Sequence, residues 1–207
     1  MNCNTRIVLS LCLWGAAAVG APLRNGSFEQ GTPGGIPGSW HFADSKTASG
    51  AQMTVEAGNA SDGRNSLLIR NPSPKRPNVF GSLFQAVPLE AGKRYRLSGD
   101  LSGAPTQGLV FIIGEKWSIR LYPGSPDAPD RWHHFSKEFT LQPEDLDNRG
   151  RATFRIVSQD LTAGTRLDNL RIDPAGGSVL THKEFQTARV LPAKRFEGRL
   201  KPGIPAG

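Results

Sequence analysis

The chain has 207 residues, a formal net charge of +7 and two cysteines, enough length for one core-bearing domain with a segment to spare. Both cysteines, Cys3 and Cys12, fall in an apolar N-terminal run, so the chain beyond residue 20 has no disulfide to rely on. The charge is uneven: residues 175–207 carry a net +4 and residues 21–174 only +2, which excludes the continuous basic footprint of a nucleic-acid binder.

Residues 1–20 read as a secretory signal peptide. Arg6 gives the positive start, Ile7 to Gly20 is apolar, and Ala18-Val19-Gly20 supplies small residues for cleavage. The run is shorter than the roughly 20 residues a membrane span needs. The expectation is a secreted or periplasmic protein with no transmembrane span once the signal is removed.

Asn25-Gly26-Ser27-Phe28-Glu29 is expected to be a short strand, followed by a Gly/Pro-rich loop over residues 30–39. Trp40-His41-Phe42 starts the next strand. Met53 and Val55 alternate with Gln52, Thr54 and Glu56, a half-buried strand. Ala60 to Asn65 is a turn and Ser66–Arg70 a strand, before an exposed loop with Pro72, Pro74 and Pro77. Val79–Val87 and Arg94–Leu101 follow as a pair, and Phe80 and Phe84, four apart on one strand, are expected in the core. Gly108–Ile113 and Lys116–Tyr122 read as a hairpin about Gly114-Glu115. Trp132–Leu141 is expected to be a bulged strand, because Trp132 breaks the alternation of Phe135, Phe139 and Leu141. After a polar loop over 142–150, Ala152, Phe154 and Ile156 alternate with Thr153, Arg155 and Val157, and Arg166–Asp173 closes the series.

About eleven strands with frequent turns and no sustained helical period define an all-β antiparallel two-sheet β-sandwich or jelly roll over residues 21–174. Residues 175–207, hinged at Ala175-Gly176-Gly177, read as a basic tail with Pro192, Pro202 and Pro205, suited at most to weak contact with anionic surfaces.

Known catalytic spacings are missing. His133-His134 point to opposite faces of a strand and cannot readily chelate together. There is no Gly-x-Ser-x-Gly elbow and no phosphate loop. Glu115, Asp127, Asp130, Glu138, Glu144, Asp145 and Asp147 are read mostly as solvated loop charges.

Five segments together resemble the carbohydrate-binding modules of the family 4/9/22 type, with a galactose-binding-like jelly roll. They are Asn25–Glu29 with Pro37-Gly38-Ser39-Trp40; Asp62-Gly63 before Ser66–Ile69; Gln85–Leu89 leading to Gly92–Tyr95; Trp132 with Phe135 and Phe139; and Leu167-Asp168-Asn169-Leu170. The resemblance implies a structural calcium ion joining first and last strands. Glu29 and Asp168 would supply charge, the turn at Asp62-Gly63-Arg64 carbonyls, and Ser61 or Asn65 a further oxygen. The alternative for Glu29 and Asp168 is bonding to backbone amides, or pairing with Arg24 or Arg166.

The resemblance also implies a poly- or oligosaccharide ligand on the concave sheet face. Trp40 and Trp132 are assigned to the core. Gln85, Arg120 and Tyr122 are the polar candidates and Trp117 the stacking candidate, although Trp117 shares parity with the core-type Ile119 and Leu121. A non-catalytic binding protein is the first expectation. A small jelly-roll polysaccharide lyase or glycoside hydrolase and a protein-binding adhesion sandwich are the alternatives.

Overall fold

The computed structural model describes residues 23–103, 108–124 and 128–175. The segment expected to be a signal and the basic residues beyond Ala175 lie outside the described residues. Among the described residues ten strands form two five-stranded antiparallel sheets. The first, in the order β1-β4-β9-β6-β7, contains β1 (His41–Asp44), β4 (Gly81–Val87), β6 (Leu109–Ile113), β7 (Ile119–Leu121) and β9 (Ala152–Ser158). The second, in the order β2-β3-β10-β5-β8, contains β2 (Gln52–Ala57), β3 (Asn65–Asn71), β5 (Arg94–Gly103), β8 (His133–Thr140) and β10 (Thr162–Pro174). The sandwich is therefore all-β and antiparallel, and among the described residues no helix is long and apolar enough to cross a membrane.

Alternation explains the core. Leu83, Val87, Phe111, Ile113, Phe154 and Ile156 face inward from the first sheet. Met53, Leu67, Ile69, Leu97, Leu101, Phe135 and Phe139 meet them from the second. Aromatic rings run through this layer in a chain of near contacts. Phe28 lies 5.7 Å from Trp40, Trp40 6.0 Å from Phe154, Phe154 5.9 Å from Phe111, and Phe111 5.3 Å from Phe135. Each such pair adds about 0.5–1.5 kcal/mol beyond the area it buries.

Several sequence expectations fail for local reasons. Asn25–Glu29 is not a strand: Asn25 and Phe28 both take positive φ, 49° and 56°, and the chain folds into a compact loop. The Asn25 side chain organises it, donating from Nδ2 to the carbonyls of Gln30 and Gly38 (2.8 Å each) and accepting the Gln30 amide at Oδ1 (3.0 Å). Nor is β8 bulged; its pairing with β5 is regular, and Trp132 simply precedes it, half-buried and outside the core. The bulge lies instead in β10, between Asp168 and Arg171, where Asn169 has φ 52°. It shifts the side-chain parity, so that Leu167, Leu170 and Ile172 all face inward. Into this bulge the N-terminal loop docks, as the Leu170 amide donates to the Gly26 carbonyl at 2.9 Å.

At one edge of the second sheet the loop after Glu29 lies along β2. The Gly34 amide donates to the Val55 carbonyl (2.8 Å) and the Val55 amide to the Gly35 carbonyl (2.9 Å).

A Cβ on Gly26 would sit 2.0 Å from the Leu170 carbonyl oxygen, whereas one on Gly34 (φ 81°) meets nothing within 4 Å. Gly26→Ala should therefore cost about 3 kcal/mol or more in urea unfolding, and Gly34→Ala only the left-handed backbone penalty of about 1–2 kcal/mol. Equal effects would show that the loop does not dock in this way.

Candidate functional site

Two places answer to the residues singled out in the sequence. The first is the junction of the N-terminal loop, the β2–β3 turn and β10. Glu29 Oε1 accepts the amides of Arg64 (2.7 Å) and Asn65 (3.0 Å). Asp168, fully buried, accepts the Ser61 amide (2.9 Å), the Asp62 amide (3.1 Å) and the Ser61 hydroxyl (3.1 Å) at Oδ2, and the Asn169 amide (2.7 Å) at Oδ1. The two carboxylates thus hold opposite ends of one turn by its backbone N–H groups. Gly63 (φ 76°) lets that turn approach, for a Cβ there would fall 2.3 Å from Glu29 Oε1. Arg24 and Arg166 take no part; Arg166 forms a bidentate pair with Glu56.

Asp100 extends the cluster on the same outer face of the second sheet. It accepts the Ser61 hydroxyl (2.7 Å) and Asn169 Nδ2 (3.1 Å) and pairs with His134 Nδ1 (3.0 Å). Burial alone pushes Asp100 up, but the bonds from Ser61, His134 and Asn169 outweigh it and its pKa lies below the usual value. Burial dominates at Asp168, whose pKa is raised against the opposing amide bonds of Asp62, Asn169 and Ser61. The amides of Asn65 and then Arg64 hold Glu29 below its ordinary value.

Calcium asks for six to eight oxygens. Here the turn presents N–H groups where carbonyls were expected, and the oxygens of Ser61 and Asp168 are committed to hydrogen bonds. The Arg64 carbonyl already accepts the Gly58 amide at 2.9 Å. Among the described residues no group of three acidic, His or Cys side chains is placed to hold a metal. The set Glu29, Ser61, Arg64 and Asp168 does not, as arranged, fit a calcium ion; it forms a hydrogen-bonded clasp.

The second place is the outer face of the first sheet. Strand register aligns His41, Phe84, Arg155, Ile112 and Arg120 in one row across β1, β4, β9, β6 and β7. Val110, Ile112 and Val157 form a small apolar cluster on this face, covered by Phe80 and Trp117. Trp117 reaches it because its φ is 60°: the left-handed residue breaks the strand alternation and turns the indole away from the core side shared by Ile119 and Leu121. The Trp117 ring meets Phe80 edge-on at 5.2 Å, and the Arg155 guanidinium lies 5.3 Å from its centroid, a contact worth about 0.5–1 kcal/mol when exposed and more when desolvated.

The turn that sets this indole is fastened from below. Gly114 donates its amide to Thr153 (3.0 Å) and accepts Arg155 Nη1 at its carbonyl (2.9 Å). The Ser118 hydroxyl bonds Asp145 Oδ1, and the Gln142 amide bonds Asp145 Oδ2 at 2.8 Å. Asp145 is therefore not a solvated loop charge but a buried anchor beside a 3-10 turn, Pro143–Asp145.

Of the sequence candidates, Trp117 and Arg120 both lie on this face. Tyr122 lies just beyond β7 and is 52% exposed. Gln85 belongs to neither place. It shares parity with Leu83 and Val87, is buried, and uses both ends of its amide on the Arg24 backbone (2.9 Å each), so it anchors the N-terminal segment and is closed to a ligand. Phe80 and Phe84, expected in the core, face outward and half-buried. Arg155, Phe84 and His41 were missed as site residues; the alternation of Arg155 against Phe154 and Ile156 was the available signal. Trp40 is in the core, donating Nε1–H to the Asn25 carbonyl at 3.1 Å.

No protein-family model matches the chain, and no curated protein sequence matches it. Solved structures do. The chain superposes on a cyclase from Fischerella sp. TAU in complex with 4-(1H-indol-3-yl)butan-2-one with a TM-score of 0.55 at 17% identity, covering 75% of this chain and 98% of that one. Against TmCBM61 in complex with β-1,4-galactotriose the TM-score is 0.50 at 16% identity, covering 75% and 99%. It also matches the enzymatically active domain of bacteriophage CBA120 tailspike protein 4 at 0.50 and 13% identity, covering 75% of this chain but spanning only 21% of that one. The architecture is the galactose-binding-like jelly-roll sandwich, which is shared by carbohydrate-binding modules and by cyclases, so the fold alone does not select a function.

A hydrogen-bonded clasp makes two measurements predictable. A chelator should leave the thermal midpoint unchanged. Because the folded-state pKa of Glu29 is depressed, its contribution is present above the unfolded value of about 4.5 and is lost as pH falls through the lower folded value. Glu29→Gln should therefore melt below the wild type at pH 7, and the two midpoints should converge as the pH is taken from above 4.5 down through the lower folded value. A constant difference across that range would contradict this role.

Proposed function

We propose that this chain is an exported, non-catalytic carbohydrate-binding protein that receives a poly- or oligosaccharide on the outer face of its first sheet. The observation that carries the reading is the row His41–Phe84–Arg155–Ile112–Arg120 with Trp117 set above it. A pyranose presents an apolar C–H face and a rim of hydroxyls. Trp117, Phe80 and Phe84 offer rings to the first, and Arg155, Arg120 and His41 offer N–H donors to the second. The site is built on strands and on a turn pinned by Asp145, so its geometry is set before a ligand arrives, which lowers the ordering cost of binding.

TmCBM61, whose structure holds β-1,4-galactotriose, gives a precedent for oligosaccharide binding on this architecture.

A glycan array on the purified protein, read together with assays for reducing-sugar and unsaturated products, tests the proposal. Binding without turnover is expected, with Trp117→Ala weakening it about ten-fold or more; the loss of its packing on Phe80 and Val110 lowers the melting temperature, so binding is measured at a temperature where the variant is shown to be folded. Turnover abolished by Tyr122→Phe would overturn the non-catalytic assignment. Binding unaffected by Trp117→Ala would move the site elsewhere.

A further inference from the structure

We infer that the glycan received on this face is acidic, its sugar carboxylate held by the guanidinium fork of Arg155 with Arg120 as the second cation; this rests on the reading of the face as a glycan-binding surface. Neutral sugars are recognised through hydroxyls that both donate and accept, for which Asn, Gln, Asp and Glu side chains are suited. The strands of this face offer none. Their outward positions are His41 and Ala43 on β1, Ser82, Phe84 and Ala86 on β4, Thr153, Arg155 and Val157 on β9, Val110 and Ile112 on β6, and Arg120 on β7. The nearest amide, Gln85, points inward and is fully used. One carboxylate stands at the rim: Glu115 accepts the Thr153 hydroxyl through one oxygen and lies close enough to Arg155 to offset part of its charge, so the two arginines outnumber it and leave the face net positive.

The face is thus rich in donors, poor in acceptors and positively charged. Arg155 spends only Nη1 on the protein, at the carbonyls of Gly114 (2.9 Å) and Thr153 (3.5 Å). Its Nε and Nη2, the two donors that grip a carboxylate side by side, have no partner among the described residues. Those two bonds to backbone carbonyls, together with the Trp117 ring, fix the plane of the guanidinium and so aim the unfilled edge. Arg120 is exposed and has no ion pair or side-chain hydrogen bond among the described residues. It lies two strands away across Ile112, with backbones about 10 Å apart. Two like charges on one apolar face repel each other, and an anion between them relieves that repulsion in surroundings where Coulomb attraction is stronger than in water.

Affinity electrophoresis or calorimetry on the full chain decides the matter. The acidic probes are polygalacturonate, alginate and glucuronoxylan; the neutral ones are carboxyl-reduced polygalacturonate and β-1,4-galactan; dextran sulfate reports indiscriminate charge. At least one uronate polymer is expected to bind, with a ten-fold or greater loss on carboxyl reduction. Arg155→Lys, which keeps the charge but not the fork, is expected to weaken binding about ten-fold. Arg120→Gln, at an exposed site with no structural partner, is expected to weaken it several-fold even if the Arg155 variant unfolds. Arg94→Gln, an equal loss of charge on the second sheet, is expected to leave binding unchanged.

Neutral glycans bound as well as acidic ones would overturn this inference while leaving the binding function standing. No binding to any glycan would overturn both. Dextran sulfate binding as tightly as the uronates, with Arg94→Gln and Arg120→Gln equivalent, would reduce the effect to diffuse electrostatics and overturn the inference.

Discussion

The constraint on which this sandwich depends is the docking of its N-terminal loop into the bulge of β10. A single bond, from the Leu170 amide to the Gly26 carbonyl, marks the place, but the dependence is wider. Asn169 must enter the left-handed region for the bulge to form, and only then do Leu167 and Leu170 both face the core while Asp168 turns to the β2–β3 turn. The same loop inserts Phe28 against Trp40, which begins the chain of rings ending at Phe135 in the opposite sheet. Backbone geometry at one bulge therefore coordinates the clasp, the core and the alignment of the two sheets. The residues beyond Cys12 include no cysteine, so this work is done by packing and hydrogen bonds.

The architecture was legible because a half-buried strand writes its own pattern. Met53 and Val55, or Phe154 and Ile156, alternate with polar neighbours, and every strand so marked was found close to its expected place. What failed to read were residues whose backbone leaves the β region. Asn25 and Phe28 look like parts of a strand, and Trp117 looks like a third core residue beside Ile119 and Leu121; in each case a positive φ overrides parity. Asparagine is a known visitor to that region, but Phe and Trp give no such warning. Phe80 and Phe84 mislead for another reason. Their spacing places them on one face, yet spacing cannot say which side of the sheet is the core. Asp145 sits in a stretch whose composition reads as loop, and nothing in composition reports that its carboxylate is buried by the turn it fastens.

Glu29 and Asp168 were joined in the sequence through the family resemblance, but the sign of what lies between them could not be read. A carboxylate accepts equally from a cation or from an amide, and the peptide unit carries a donor and an acceptor. Which of these a turn presents is a matter of φ and ψ at Ser61, Asp62 and Arg64, about which residue identity says little. The two places also divide the labour of the molecule. The clasp lies with the second sheet and its turn, whereas the aromatic and cationic row belongs to the first, so variation at one need not disturb the other.

The pairing of Gly34 and Gly35 with Val55 has a consequence for how such molecules live beside one another. An outermost strand leaves N–H and C=O groups exposed, an invitation for a second chain to extend the sheet. Here the chain spends a stretch of its own loop to occupy part of that border along β2. The residues that do so, Gly34 and Gly35, bring no side chain of their own to that border, although Ile36 beside them is exposed. Neighbouring copies of the chain meet a border already filled at Val55, which hinders the fusion of one sheet with the next.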